Sequence, residues 1–217
     1  MKKTILLLAL CVLSMPAVAS AYSLSLQDPG FEAAGWNWGS GWGDIQWGDA
    51  GTTRSGDPDN ISVVRSGSQS AQMVLTAPAT TGWINESFAA TQNLTLPGAA
   101  GQLLNFNAYM NVTSATNAKA YLEVVFKNGA TELSKVTGSE LTAPTGGWVL
   151  NTLSATVPTS TTNADFNIVT YGGSQASANN ITAYFDDASA EVIPEPASML
   201  LLGSGLVGLL GFSRRKK

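Results

Sequence analysis

Leu104, Phe106, Ala108, Met110 and Val112 alternate with Asn105, Asn107, Tyr109 and Asn111, and this period of two constrains the fold more than any other feature of the chain. Successive side chains of a strand point to opposite faces, whereas a helix repeats every ~3.6 residues. Ala120, Leu122, Val124 and Phe126 keep the same beat against Tyr121, Glu123, Val125 and Lys127. Asn128-Gly129 follows at once, the pair that best tolerates the positive φ of a tight hairpin turn. Further strands are expected over Ala71–Leu75, Trp148–Val157, Asp165–Tyr171 and Ile181–Val192, with Gly, Pro, Ser, Thr and Asn between them. No amphipathic helical pattern interrupts the series. Many short strands at this spacing predict an all-β, antiparallel sandwich.

Both ends of the chain fall outside that pattern. Met1-Lys2-Lys3, an apolar stretch from Ile5 to Leu13, and the small residues Ala17 to Ala21 have the layout of a secretory signal peptide, with cleavage expected after Ala21. Cys11, the only cysteine, lies in that leader and would be lost with it. At the other end Pro194-Glu195-Pro196 precedes 16 uncharged residues, 197–212, and then Ser213-Arg214-Arg215-Lys216-Lys217. Proline has no N–H and biases its predecessor away from helix, which keeps the first three residues extended. The uncharged stretch would reach ~24 Å as a helix, slightly under a ~30 Å hydrocarbon core. Gly203, Gly205, Gly208 and Gly211 weaken it as an anchor, and the basic end stays cytoplasmic. The expected organisation is a signal peptide over 1–21, one domain over 22–193, and a sorting tail over 194–217.

This tail resembles the PEP-CTERM sorting signal of Gram-negative bacteria that make exopolysaccharide. The resemblance implies that Pro194, Glu195 and Pro196 form the processing motif for an exosortase, a membrane transpeptidase-like enzyme. It also implies an inner-membrane-anchored precursor, then delivery to the cell surface or extracellular matrix.

Composition narrows the chemistry of the remaining domain. Between residues 22 and 193 there are 14 acidic and five basic residues, a net charge of −9. Such a surface disfavours nucleic acid and anionic lipid as partners. Histidine is absent, which excludes Ser–His–Asp and Cys–His catalysis and any histidine-ligated metal. Paired carboxylates would still suffice for glycoside hydrolysis, with Glu86, Glu123 and Asp165 as the interior acids to consider.

Asp28-Pro29-Gly30-Phe31-Glu32, with Gly35-Trp36 close behind, opens the domain; Ser66-Gly67-Ser68-Gln69-Ser70 follows, and Asp186-Asp187 lies near its end. This order of landmarks resembles the jelly-roll, galactose-binding-like carbohydrate-binding modules of families four, nine and twenty-two. Asp28-Pro29 departs from their usual Asn and small residue, and a Gly/Trp-rich insertion follows. The resemblance implies a jelly-roll sandwich without catalytic activity. It also implies a structural Ca2+ held by Glu32, by carbonyls around Ser66 and Ser70, and by Asp186 or Asp187. Trp36 would occupy the position those modules use for core packing.

Two sets of residues are candidates for contact with a polysaccharide. Trp38, Trp42 and Trp47 lie among Gly39, Gly41, Gly43 and Gly48. Their indoles would either stack on the apolar face of a sugar ring or plug the core. Asn105, Asn107, Tyr109, Asn111, Tyr121 and Glu123 would share one polar face if their two strands pair in one sheet. That face would either read sugar hydroxyls or simply be solvated. The expectation is an exported, non-catalytic domain that binds exopolysaccharide; a structural matrix protein and, more remotely, a hydrolase or lyase are the alternatives.

Overall fold

The computed structural model describes residues 21–33, 38–42, 53–77, 86–172 and 178–194, with only the backbone described at 39–42, 53–56, 58–59, 77 and 86–88. Residues 1–20 of the expected signal peptide, Glu195, Pro196 and the apolar tail therefore lie outside the described residues, as do Trp36, Trp47 and the side chain of Trp42. Residues Tyr22–Ile193 form one compact unit. No described residue is helical.

The strands are β1 (Tyr22–Leu24), β2 (Gly39–Trp42), β3 (Thr53–Asn60), β4 (Ser70–Ala77), β5 (Glu86–Thr95), β6 (Leu103–Thr116), β7 (Ala118–Asn128), β8 (Thr131–Thr137), β9 (Val149–Thr156), β10 (Asn163–Gly172) and β11 (Asn179–Ile193). They make two antiparallel sheets. The first runs β3-β4-β11-β6-β9, with β1 also on β11, and the second runs β2-β5-β10-β7-β8. The chain changes sheet at β4 to β5, at β5 to β6 and at nearly every later connection, which is the winding of a jelly roll. The β7–β8 pair is the exception, closed through Asn128-Gly129 with Gly129 at φ 59°.

Alternation explains the layering. Leu104, Phe106, Ala108, Met110 and Val112 of β6, Leu122, Val124 and Phe126 of β7, and Phe166 and Ile168 of β10 all enter one core. The ring of Phe106 meets Phe166 edge-on at 5.3 Å across the two sheets.

One expectation is corrected here. β6 and β7 do not pair; they belong to opposite sheets. The single residue Asn117, at φ 50°, joins them and turns the chain from one layer to the other. Both strands bury their even-numbered residues, so their polar sets face away from each other. Asn105, Asn107 and Tyr109 lie on the outside of the first sheet, Tyr121 and Glu123 on the outside of the second.

Trp38 is corrected as well. It is fully buried, stacked between Phe31 at 5.5 Å and Phe106 at 6.4 Å, with its Nε1 donating to the Asp28 carbonyl at 3.3 Å. With no exposed face and its N–H satisfied, it packs the core and does not meet a sugar. Asp28 also organises its own turn: its Oδ1 accepts the amides of Glu32 at 2.7 Å and Ala33 at 3.2 Å. An aspartate thus performs the local capping that an asparagine oxygen could also perform.

Candidate functional site

Two polar clusters stand out, one at a loop and one on a sheet face. The first gathers Glu32, Asp186 and Asp187. In β11 the pairing with β6 slips between Asp186 and Ser189, and Asp187 takes φ 48°. This bulge shifts the inward set from Phe185 to Ala188 and leaves both aspartates beside the loop of residues 62–69. Asp186 is fully buried; its Oδ2 accepts the amides of Arg65 at 3.0 Å and Ser66 at 3.2 Å, and its Oδ1 that of Asp187 at 2.8 Å. Burial lifts the Asp186 carboxyl above its ordinary range, against the pull of those N–H donors. Asp187 accepts the Ser66 hydroxyl at 2.8 Å and pairs with the Arg65 guanidinium, which lies 3.3 Å over the Tyr109 ring. Tyr109 therefore has one face taken by Arg65.

Glu32 approaches the same loop from the other end of the domain. It accepts the Ser68 amide at 3.0 Å, the Ser68 hydroxyl at 2.7 Å and the Gln69 amide at 3.3 Å. The Ser68 hydroxyl and amide, with the Gln69 amide, hold its carboxyl below the usual range against partial desolvation. Gly67 makes the approach possible: a Cβ there would stand 1.9 Å from Glu32 Oε1, and its φ is 65°.

Calcium was expected at these residues. It takes roughly six to eight oxygen ligands, yet this loop turns amides, hydroxyls and a guanidinium toward the carboxylates. Among the described residues no three acidic side chains converge on a metal position. The donor set suits hydrogen bonding and does not suit calcium. Its hydrogen bonds join the first turn, the 62–69 loop and the last strand.

The second cluster occupies the outer face of the second sheet. Register sets its rows: Ala89, Val169 and Tyr121 lie side by side, then Thr91, Asn167 and Glu123, then Asn93, Asp165 and Val125. Asn167 is fully buried and Glu123 is 4 % exposed, although both point away from the core. Asn167 Nδ2 donates to Glu123 Oε1 at 3.0 Å, and Lys135 Nζ lies 3.6 Å from Glu123 Oε2. Asn167 Oδ1, like Gln102 Oε1 and the Asn151 Oδ1 beside β9, has no hydrogen-bond partner within the protein.

Beside this pair Ala89, Val169 and Tyr121 form a small apolar patch with Tyr171 against it. Lys119 Nζ lies 5.0 Å from the Tyr171 ring centroid and 5.5 Å from that of Tyr121, and it pairs with Glu140. Burial and the neighbouring Glu123 charge push the Tyr121 phenol upward, so it stays a hydrogen-bond donor. Asp165 is engaged by Lys127 and accepts Asn93 Nδ2 at 2.6 Å. The backbone of Trp42 pairs with Ala89, which places it in the same row as Tyr121, across β5 and β10.

Of the expected contact residues, the structure thus keeps Tyr121 and Glu123 together and separates them from Asn105, Asn107 and Tyr109. Asn105 Nδ2 donates to Glu191 at 3.2 Å while its oxygen accepts Ser154 at 2.7 Å, and Asn107 reaches Ser189 at 3.4 Å. Asn167, Lys135 and Tyr171 were missed. The alternation of Asn163, Asp165 and Asn167 with Ala164, Phe166 and Ile168 is the same signal as in β6 and marks Asn167 and, farther along β10, Tyr171; Lys135 on β8 carries no such signal. A cleft of about 440 Å³ lined by Leu141, Val149 and Leu150 lies at the β9 edge and contains none of these residues.

Residues 192–216 match the PEP-CTERM protein-sorting motif. This signal marks an exported, membrane-anchored precursor for sorting by an exosortase. No curated protein matches the chain. Among solved structures, the enzymatically active domain of tailspike protein 4 of bacteriophage CBA120 is similar at 14 % identity and TM-score 0.50, over 78 % of this chain. The chain spans only 21 % of the length of that protein, and the likeness is one of fold. The CBM22-1 xylan-binding domain of Paenibacillus barcinonensis Xyn10C is similar at 11 % identity and TM-score 0.46, over 82 % of this chain and 99 % of that one. TmCBM61, solved with β-1,4-galactotriose, is similar at 17 % identity and TM-score 0.43, over 79 % and 99 %.

Proposed function

We propose that residues 22–193 form a non-catalytic domain that binds a polysaccharide on the outer face of the second sheet. The observation that carries this reading is the Glu123–Asn167 pair. A buried carboxylate and a buried amide stand on a face directed away from the core, and one amide oxygen lacks a partner. Native structures leave few buried polar atoms unpaired, and such atoms call for an explanation. A ligand hydroxyl donating to Asn167 Oδ1 supplies one, provided the residues that cover this buried atom give way to it. Tyr121 and Tyr171 add aromatic surface and a phenol, a combination suited to a ring with one apolar face and polar edges. Trp42 joins the same row through its backbone and remains a candidate for stacking. Trp47 remains one from sequence alone.

Export under a signal peptide and release or retention by an exosortase would bring this face to the cell surface or matrix. The exopolysaccharide exported there is the candidate ligand. Of the three interior acids considered for hydrolysis, Glu123 and Asp165 are each engaged by a separate lysine and a separate amide, and the side chain of Glu86 lies outside the described residues. That arrangement favours binding over general acid–base chemistry.

The test is titration calorimetry of the processed protein against exopolysaccharide from its source, with Asn167→Ala and Glu123→Gln beside it. Loss of a hydrogen bond that ligand alone completes should weaken binding by about tenfold, ~1.4 kcal/mol; Asn167→Ala also takes a donor from the buried Glu123 carboxylate and should lower the melting temperature as well. Saturable binding that neither variant alters would move the site elsewhere. Absence of binding would favour a structural matrix protein.

A further inference from the structure

β8 (Thr131–Thr137) ends the second sheet, and among the described residues no strand pairs on its far side. A strand in that position keeps a row of N–H and C=O groups open to another chain. Val136 packs against the core, while Leu133 remains 39 % exposed. Against β7, Lys135 lies opposite Val125 and Ser134 opposite Phe126; the register then shifts, and Glu132 lies opposite Lys127. Opposed residues share a face, so Glu132 joins Lys135 on the outer face with Val125 and Lys127. In an unbroken strand, residues three apart point to opposite faces. The extra residue Leu133 cancels that. Among the described residues no ion pair engages Glu132. Lys135 lies 3.6 Å from Glu123 and keeps 44 % of its side chain exposed, and an ammonium has three donors to share.

We propose that β8 pairs antiparallel with β8 of a second copy of this chain, about a two-fold axis passing between Leu133 and Ser134. Glu132 then lies opposite the partner's Lys135, and Lys135 opposite the partner's Glu132. Thr131 falls opposite the partner's Val136, both on the inner side, so the faces agree on either side of the axis. A register centred on Ser134 would set the outward Glu132 against an inward valine. One centred on Lys135 would set like charges together, which is unfavourable. Charges and bulges usually keep edge strands apart; here the charges are of opposite sign, and the bulge is what brings them to one face. The two exposed Leu133 residues come beside the axis.

The pairing stands on β8 itself and does not depend on a glycan. It joins two five-stranded sheets into one of ten strands, with both outer faces on the same side. Between β10 and its counterpart lie five strand spacings of ~4.8 Å, about 24 Å. On the reading of Glu123 and Asn167 as a binding face, one polysaccharide chain could meet both copies and gain avidity.

The experiment is sedimentation velocity of the processed protein over a range of concentrations, without glycan. A reversible dimer is expected; a monomer throughout would overturn the proposal. Glu132→Lys and Lys135→Glu should each weaken the dimer by about tenfold or more, and the double exchange should restore it. A dimer indifferent to both single changes would place the contact elsewhere and refute the pairing, as would a double exchange that restores nothing. Cysteine pairing reads the register directly, because the only cysteine lies in the expected leader. Under mild oxidation, Glu132→Cys mixed with Lys135→Cys should give a covalent dimer of one chain of each, and neither variant should do so alone. Crosslinking of Glu132→Cys to itself, or none in the mixture, would overturn the register. Loss of glycan binding with the dimer intact would count against the glycan face and leave the pairing in place.

Discussion

The loop cluster of Glu32, Asp186 and Asp187 and the sheet-face cluster of Glu123 and Asn167 each hold buried polar groups, yet only one is complete. At the loop, each carboxylate has its donors, and the guanidinium of Arg65 is matched by Asp187 and by the Tyr109 ring. On the sheet face, Asn167 Oδ1 is unpartnered. A fully satisfied polar network holds elements in place, and a partly satisfied one is costly unless something else completes it. The first cluster joins three segments far apart in sequence. The second lies on strands that the core already holds, so it is free to serve a ligand.

Breaking the complete cluster should produce the largest change in stability. Asp186→Ala leaves the amides of Arg65, Ser66 and Asp187 without their acceptor. Arg65 and Ser66 lie in an exposed loop where water takes up part of the loss, but three amides lose their acceptor at once, which at ~1 kcal/mol each gives ~3 kcal/mol. A loss of ~3 kcal/mol corresponds to roughly 6–12 °C in melting temperature for a domain of this size. Glycan affinity per folded molecule should stay the same. Melting in a chelator should match melting without it, and a clear fall on chelation would bring calcium back into the cluster. If Asp186→Ala instead abolished glycan binding in a folded protein, the division between the two clusters would collapse.

Acid should act on the same cluster by a smaller amount. The Glu32 carboxyl is held below its ordinary value of 4.5 by Ser68 and Gln69. Its stabilisation is therefore complete above that value and is lost as pH falls through the lower, folded value. Asp186 runs the other way: its carboxyl is raised from 3.8 by burial, so its protonation favours the folded form as pH falls. The Glu32 effect must be read as a difference between two proteins. The gap in melting temperature between wild type and Glu32→Gln should be widest near neutrality and close progressively below pH 4.5. A gap that widened in acid would mean that the loop does not stabilise the charged form of Glu32.

Much of the fold was legible because alternation is a local property. The inward residues of β4, β6, β7, β9, β10 and β11 follow from period two, and Asn128-Gly129 announced its hairpin. The partnership of β6 was not legible. Nothing in either strand records that Asn117 would turn the chain into the other sheet, since both patterns are identical whichever sheet receives them. β8 escaped notice because it is an exposed edge strand with little apolar alternation, and its Lys135 escaped with it. Trp38 was ambiguous for a related reason: a tryptophan among glycines reads alike whether its ring faces a sugar or Phe31 and Phe106. The landmarks Glu32, Ser66 to Ser70 and Asp186-Asp187 were correctly read as a meeting point. What the letters did not carry was the direction of the loop amides, which point at the carboxylates of Glu32 and Asp186.

The smallest expected effect tests the choice of face. Asn105 stood among the candidate contact residues, and it lies on the outside of the first sheet between Glu191 and Ser154. Both of its hydrogen bonds are near the surface, where water replaces a lost partner readily, so Asn105→Ala should cost only about 0.5 kcal/mol. Calorimetry should show glycan affinity unchanged, in contrast to the tenfold loss expected for Asn167→Ala. The two amides sit at comparable points of alternating strands, and they differ chiefly in whether the protein itself satisfies the oxygen. Equal losses of affinity in both variants would mean that the ligand reaches the first sheet too, and that an unpartnered oxygen is not what marks the binding face.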